Sequence, residues 1–423
     1  VNKKLFAAMA FALTLSACSG AAPLPQPTKQ PATQTVPAPT PISTDSMKPM
    51  TKPSTPVTQT VVGAANDFGF KMLARLTDGK TSNMFISPLS ISMALAMAYN
   101  GADGKTAQDM AAAMGLQGVS LAEVNAAYAS LAEGLQANKE ITLSIANSLW
   151  ARQGVTLRPE FVAQVGKNYD AKLTSLDFAS PEALKQINGW VNDKTRGKIP
   201  TIIDSIPQDM ALYLINAVYF KGAWLDPFNA AQTKPALFHA PSGDVTAQMM
   251  TRTAQMTYLD DPLFQAVSLP YTGSQLSMMV ILPKENLDSF APQLTAENWL
   301  KWSKAMRTRQ GTLQLPRFKM EYSKTLNEAL IGMGMGNAFS NAANFSKMSD
   351  IPFAISEVKH KSFVEVNEQG AEAAAVTSIG MRAMSMRDEV PPFMMIVDRP
   401  FVFAIQDRQT GAVLFLGTVA KVN

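Results

Sequence analysis

A chain of 423 residues, 47% apolar and 17% charged, has ample material for a large buried core, so disorder of the whole is excluded. Its 37 basic and 33 acidic residues leave a formal charge of +4 without a long basic run or an interleaved aromatic platform, which sets nucleic acid aside and leaves proteins as partners. One cysteine and two histidines, His239 and His360, leave no room for an internal disulfide or a His-rich metal site, and HExxH and GxSxG are both absent; we expect no metal and no cofactor.

Lys3 and Lys4 precede an apolar run from Leu5 to Leu15 and then small residues, the pattern of an export signal too short to span as a stable anchor. Leu15-Ser16-Ala17-Cys18 resembles the lipobox of bacterial lipoproteins. The resemblance implies removal of residues 1–17 and acylation of Cys18. With Ser19 next, it implies delivery to the outer membrane, on its periplasmic or cell-surface side. An ordinary cleaved signal, releasing an extracellular protein, is the alternative. Residues 18–60 then read as the attachment cysteine and a tether: Pro, Thr, Gln and Ala dominate, with no aromatic residue and no helical or strand period. As a flexible coil it would span about 35 Å.

At residue 61 the pattern changes, and 61–423 reads as one domain. Val61, Ala65, Phe68, Met72 and Leu76 recur at spacings of three and four, which predicts an amphipathic helix ending near Asp78 and Gly79. A second helix follows Pro88 through Ile91, Ala94, Leu95 and Ala98, until Gly101 and Gly104 stop it. Residues 211–220 (ALYLINAVYF) are apolar on both faces apart from Asn216, as suits a central strand covered on both sides. Residues 275–282 form another strand, and residues 401–405 and 412–419 flank a polar turn as a C-terminal hairpin. Helices early and strands late, with no βαβ rhythm, give an α+β class.

Four blocks, in order, resemble the serpin family over nearly all of 61–423. They are 83–90 (NMFISPLS), 216–224 (NAVYFKGAW), 364–375 (VEVNEQGAEAAA) and 398–401 (DRPF). The resemblance implies helices packed around three β-sheets and an exposed reactive-centre loop near the C-terminus. It implies a suicide inhibitor of serine or cysteine proteases rather than an enzyme: a monomer that supplies no catalytic group and forms a covalent complex with its target. The protease cleaves the loop, and the freed hinge inserts into the central sheet before the acyl-enzyme hydrolyses.

The hinge of this reading is Glu368, Gly370, Ala371, Glu372, Ala373, Ala374, Ala375 and Thr377. In a strand, Ala371, Ala373, Ala375 and Thr377 present small side chains to one face while Glu372 points to the other, so the segment enters a sheet without burying a charge. Composition alone would favour an Ala-rich helix; the surrounding serpin-like blocks reverse that choice. Counting along the family's spacing from Glu368 puts the cleaved bond at Met384-Ser385, with Arg382-Ala383 and Arg387-Asp388 as alternatives. Methionine suits apolar protease pockets; arginine suits trypsin-like ones.

The resemblance also implies a sheet-opening region of Ser87, Ser90, Asn216, Trp224, Arg317 and His360, with Arg317 paired to Glu368. Gln369 and Ala371 depart from the family's frequent acid and hydroxyl at those positions, but neither is bulky or charged. A non-inhibitory serpin acting as a surface binding protein is the main alternative. An SxxK hydrolase, through Ser356 and Lys359, lacks the KTG partner such an enzyme requires.

Overall fold

The computed structural model describes residues 55–77, 82–371 and 391–422. Cys18, the reactive bond and its alternatives, and the hinge beyond Ala371 (Glu372, Ala373, Ala374, Ala375 and Thr377) lie outside the described residues.

In chain order the main elements are α1 (Pro56–Leu76), β1 (Met84–Ile86), α2 (Pro88–Gly101), α3 (Gly104–Ala113), α4 (Leu121–Gln136), β2 (Ile141–Arg152), α5 (Pro159–Tyr169), β3 (Lys172–Leu176) and α6 (Pro181–Lys194). The strands β4 (Leu212–Ala223), β5 (Lys234–Ala240), β6 (Gly243–Asp260), β7 (Phe264–Pro270), β8 (Leu276–Pro283), β9 (Arg307–Pro316) and β10 (Phe318–Thr325) follow. The chain closes with β11 (Glu357–Asn367), β12 (Gly370–Ala371), β13 (Phe393–Ile396), β14 (Phe401–Asp407) and β15 (Val413–Val419).

The first helix begins at Pro56, not at Val61, so the assigned tether runs five residues too far. Pro56 reads as linker by composition, yet it occupies the first turn, where its missing N–H costs nothing, and the Thr55 side chain caps the helix by accepting from the Thr58 N–H. Val61, Ala65, Phe68 and Met72 are buried, as their spacing predicts, and each large side chain so removed from water contributes about 1.5–3 kcal/mol. α2 is apolar on nearly every side and is buried throughout except at Tyr99.

Among the described residues the strands form two hydrogen-bonded sheets rather than three separate ones. The 18-residue β6 pairs with β5 at its start, β9 along its middle and β7 at its end, so two smaller sheets merge into a nine-stranded network. The other is six-stranded, in the order β10-β11-β12-β4-β2-β3. Its inner face joins the main core with α2 and the larger sheet. Its outer face is covered by α6 and the residues after it, where Ile187, Val191, Ile199, Ile202 and Ile203 pack on Trp150, Tyr213, Tyr219 and Phe363.

Candidate functional site: the parting of the central sheet

β4 is buried along its length except at Lys221 and Ala223, and its one polar residue inside the apolar run is Asn216. For seven positions, from Tyr213 opposite Glu357 to Tyr219 opposite Phe363, β4 pairs in parallel with β11. Beyond Phe363 the two strands part. β11 turns at Asn367, Glu368 and Gln369 and returns between them as β12, antiparallel to both: Gly370 faces Asn367 and Ala223, and Ala371 faces Val366 and Gly222. A wedge two residues long thus stands in the mouth of a sheet that is closed below it.

The wedge requires glycine. Gly370 has φ +144°, and a Cβ there would lie 2.1 Å from the Gly222 carbonyl oxygen, so no side chain fits. Ala371 is fully buried on the inner face with Val366, the face expected for the small residues of the hinge.

The connection from β4 to β5 grips the turn. The Trp224 N–H donates to the Gln369 carbonyl (2.8 Å), the Phe228 N–H to the Glu368 carbonyl (2.9 Å), and the Trp224 indole N–H to the Asn367 carbonyl (3.0 Å). Trp224 in turn stacks on Tyr271, with ring centroids 4.6 Å apart. Glu368 is 2% exposed and accepts a forked contact from Arg317, whose Nε lies 2.8 and 2.9 Å from the two carboxylate oxygens; the Thr233 hydroxyl donates to the same group. Burial raises the Glu368 pKa, but the hydrogen bonds from Arg317, Thr233 and the backbone outweigh it and hold the carboxyl below its usual range.

Lower in the closed part lies a second polar cluster. The Asn216 amide donates to Ser90 and to Asn147 Oδ1 on β2, and Asn216 Oδ1 lies 2.6 Å from His360 Nδ1. Because that oxygen can only accept, His360 carries its proton on Nδ1, leaving Nε2 without a partner among the described residues. Ser87 stands one link away: it caps α2 and donates to the Leu414 carbonyl, touching neither Asn216 nor His360. Of the residues singled out in the sequence, Ser90, Asn216 and His360 meet in this cluster, and Trp224, Arg317 and Glu368 meet at the wedge. Asn147 and Thr233 complete the two groups and were not anticipated, since an Asn in a strand of mixed polarity and a lone Thr in a connection carry no sequence signal.

Burial depresses the His360 pKa from 6.5 to about 3. The unfolded chain therefore takes up this proton first, so the stability it governs is whole above pH 6.5 and declines as pH falls below it, by about 1.4 kcal/mol per unit. Between pH 7 and 5 this one group costs about 2 kcal/mol. Urea midpoints at the two pH values should show that loss in the wild type and a correspondingly smaller one in His360→Gln. Equal losses in both would remove His360 from the account.

The central pair of the sheet, β4 and β11, is thus parted at one end by the segment that follows β11. The model of the family described as Serpin (serine protease inhibitor) matches residues 63–422. An uncharacterized serpin-like protein of Thermococcus kodakarensis is 38% identical over 362 residues, 84% of each chain. The leukocyte elastase inhibitor of Bos taurus is 38% identical over 380 residues, 85% of this chain and 99% of the relative. Among solved structures, the thermophilic serpin tengpin in its native state superposes with a TM-score of 0.79 at 32% identity, covering 86% of this chain and 94% of that one. The chain belongs to the serpin family, whose members are in general protease inhibitors rather than catalysts.

Proposed function

We propose that the protein is a suicide inhibitor of serine endopeptidases, with cysteine endopeptidases as a second target class. It is cleaved at Met384-Ser385 and traps the acyl-enzyme by inserting its hinge as a strand between β4 and β11. The observation that carries this reading is the wedge: Gly370 and Ala371 already pair with both strands. Carrying that register down the sheet sets Glu372 beside Lys221 on the outer face and Thr377 between Asn216 and His360 on the inner one. Insertion exchanges one parallel pairing for two antiparallel ones, a gain in backbone hydrogen bonds and in pairing quality. The inhibitor contributes no catalytic group; displacing the tethered protease spoils the geometry its deacylation needs, and a misplacement of about 1 Å can cost on the order of 100-fold.

The inhibitor works as a monomer in this reading, held near the outer membrane by an acylated Cys18 and the tether that follows it. Electrophoretic shift on globomycin treatment, or its absence, tests the lipid.

For the mechanism, the purified protein is mixed with chymotrypsin-, elastase-, trypsin- and papain-like proteases and run on denaturing gels, with mass spectrometry of the released C-terminal peptide. A complex stable to denaturant with a peptide starting at Ser385 is expected; a start at Ala383 moves the bait to Arg382. Cleavage without a complex would favour the non-inhibitory binding role instead.

Glu368→Lys would set a second cation against Arg317 at a position whose own side chain is almost wholly buried, so the grip on the turn should fail. Native gels after mild heating should show more polymer and more inserted, inactive monomer than the wild type. An unchanged pattern would mean the pair guards nothing.

A further inference from the structure

The connection that grips the hinge turn has a support of its own. On β6, Arg252 points inward beneath residues 224–228. Its guanidinium carbon stands 5.2 Å from the centre of the Phe228 ring, and Nη1 donates to the Asp226 carbonyl, while Nε meets no acceptor among the described residues. A largely buried arginine with an idle N–H is costly unless something depends on it. Its two contacts fall on the two residues that flank Pro227. They lie within four residues of Trp224 and Phe228, whose N–H groups hold the Gln369 and Glu368 carbonyls. The path from Arg252 to the wedge runs in short steps: Arg252 donates to the Asp226 carbonyl and lies over the Phe228 ring, the Phe228 N–H donates to the Glu368 carbonyl, and two residues after Glu368 comes Gly370, paired with Ala223.

We propose that Arg252 is a positioning residue for strand insertion: it props the connection from Trp224 to Thr233 so that Gly370 and Ala371 stay seated in register with Ala223 and Gly222, ready to lead the rest of the hinge in. The inference rests on the inhibitory reading above. Without the prop the turn shifts, insertion starts from a poorer alignment, and more acyl-enzyme hydrolyses before it is trapped. The first encounter with the protease, at the bait bond, is untouched.

The test compares the full chain with Arg252→Met, which keeps the stem but loses the donors and the flat cation, and Arg252→Lys, which keeps a cation that can donate but not its flat shape. Hydrogen exchange read by mass spectrometry should be about tenfold faster in Arg252→Met over peptides covering 224–228 and 367–371, and closer to wild type in Arg252→Lys. With a protease that the wild type traps, the number of inhibitor molecules consumed per protease trapped should rise about threefold or more in Arg252→Met, with the association rate within about twofold, and Arg252→Lys should restore much of the loss. Unchanged protection in Arg252→Met overturns the proposal, and so does lost protection with unchanged consumption. If the wild type traps no protease, the inhibitory reading itself fails, and the exchange data alone then decide whether Arg252 holds the turn.

Discussion

Thr377→Arg is expected to convert the protein from inhibitor to substrate. In the proposed inserted state, the pairing of Gly370 with Ala223 and of Ala371 with Gly222, continued down the sheet, would bring position 377 between Asn216 and His360 on the buried inner face. Threonine is small and can hydrogen-bond there as the contact between Asn216 and His360 is separated. An arginine would carry an unpaired charge into a region where Ser90, Asn216 and His360 are at most 1% exposed, at a cost of several kcal/mol. In the proposed mechanism trapping is a race between insertion and deacylation, so slowing insertion by about 100-fold or more should leave almost all the acyl-enzyme to hydrolyse. Denaturing gels should show cleavage after the bait at the wild-type rate, with the stable complex gone. An undiminished yield of complex would mean that insertion stops short of residue 377 or follows another register.

The second large effect is on stability. Asn216→Leu removes the hub of the buried cluster while keeping the branching and number of side-chain heavy atoms, and strands the His360 Nδ1–H, Asn147 Oδ1 and the Ser90 hydroxyl. At about 1–3 kcal/mol for each group left without a partner, partly relieved by relaxation, the loss should be about 3–5 kcal/mol. Urea unfolding at pH 7 measures it. A loss under about 1 kcal/mol would show that the cluster's members find other partners and that Asn216 is not its centre.

The parts of the fold that declared themselves in the sequence are those set by short-range periodicity or by an unbroken apolar run. α1 and α2 follow from apolar residues at spacings of three and four, β4 and β8 from runs that can only be buried on both sides, and the closing hairpin from a polar turn between two such runs. The boundary at Pro56 was lost because a proline-rich tether and a helix that starts on proline look alike locally. The amphipathic strands β2, β5, β6 and β9 passed unannounced, since their mixed polar faces resemble loops until the neighbouring strands that satisfy their backbones are known.

The site divides along the same line. Read through the serpin resemblance, the sequence by itself determined which residue types would matter: a glycine and small residues after Glu368, an acid to meet Arg317, and a polar Asn216 in an apolar strand. Only the tertiary structure decided that β12 is already seated between β4 and β11, that Ser87 stands apart from Asn216, and that Asn147, Thr233 and Arg252 join the machinery. The reason is physical. Small size, charge and propensity belong to a residue wherever it sits, whereas register, burial and hydrogen-bond partners arise from strands brought together from more than 200 positions apart, such as Asn147 on β2 and His360 on β11.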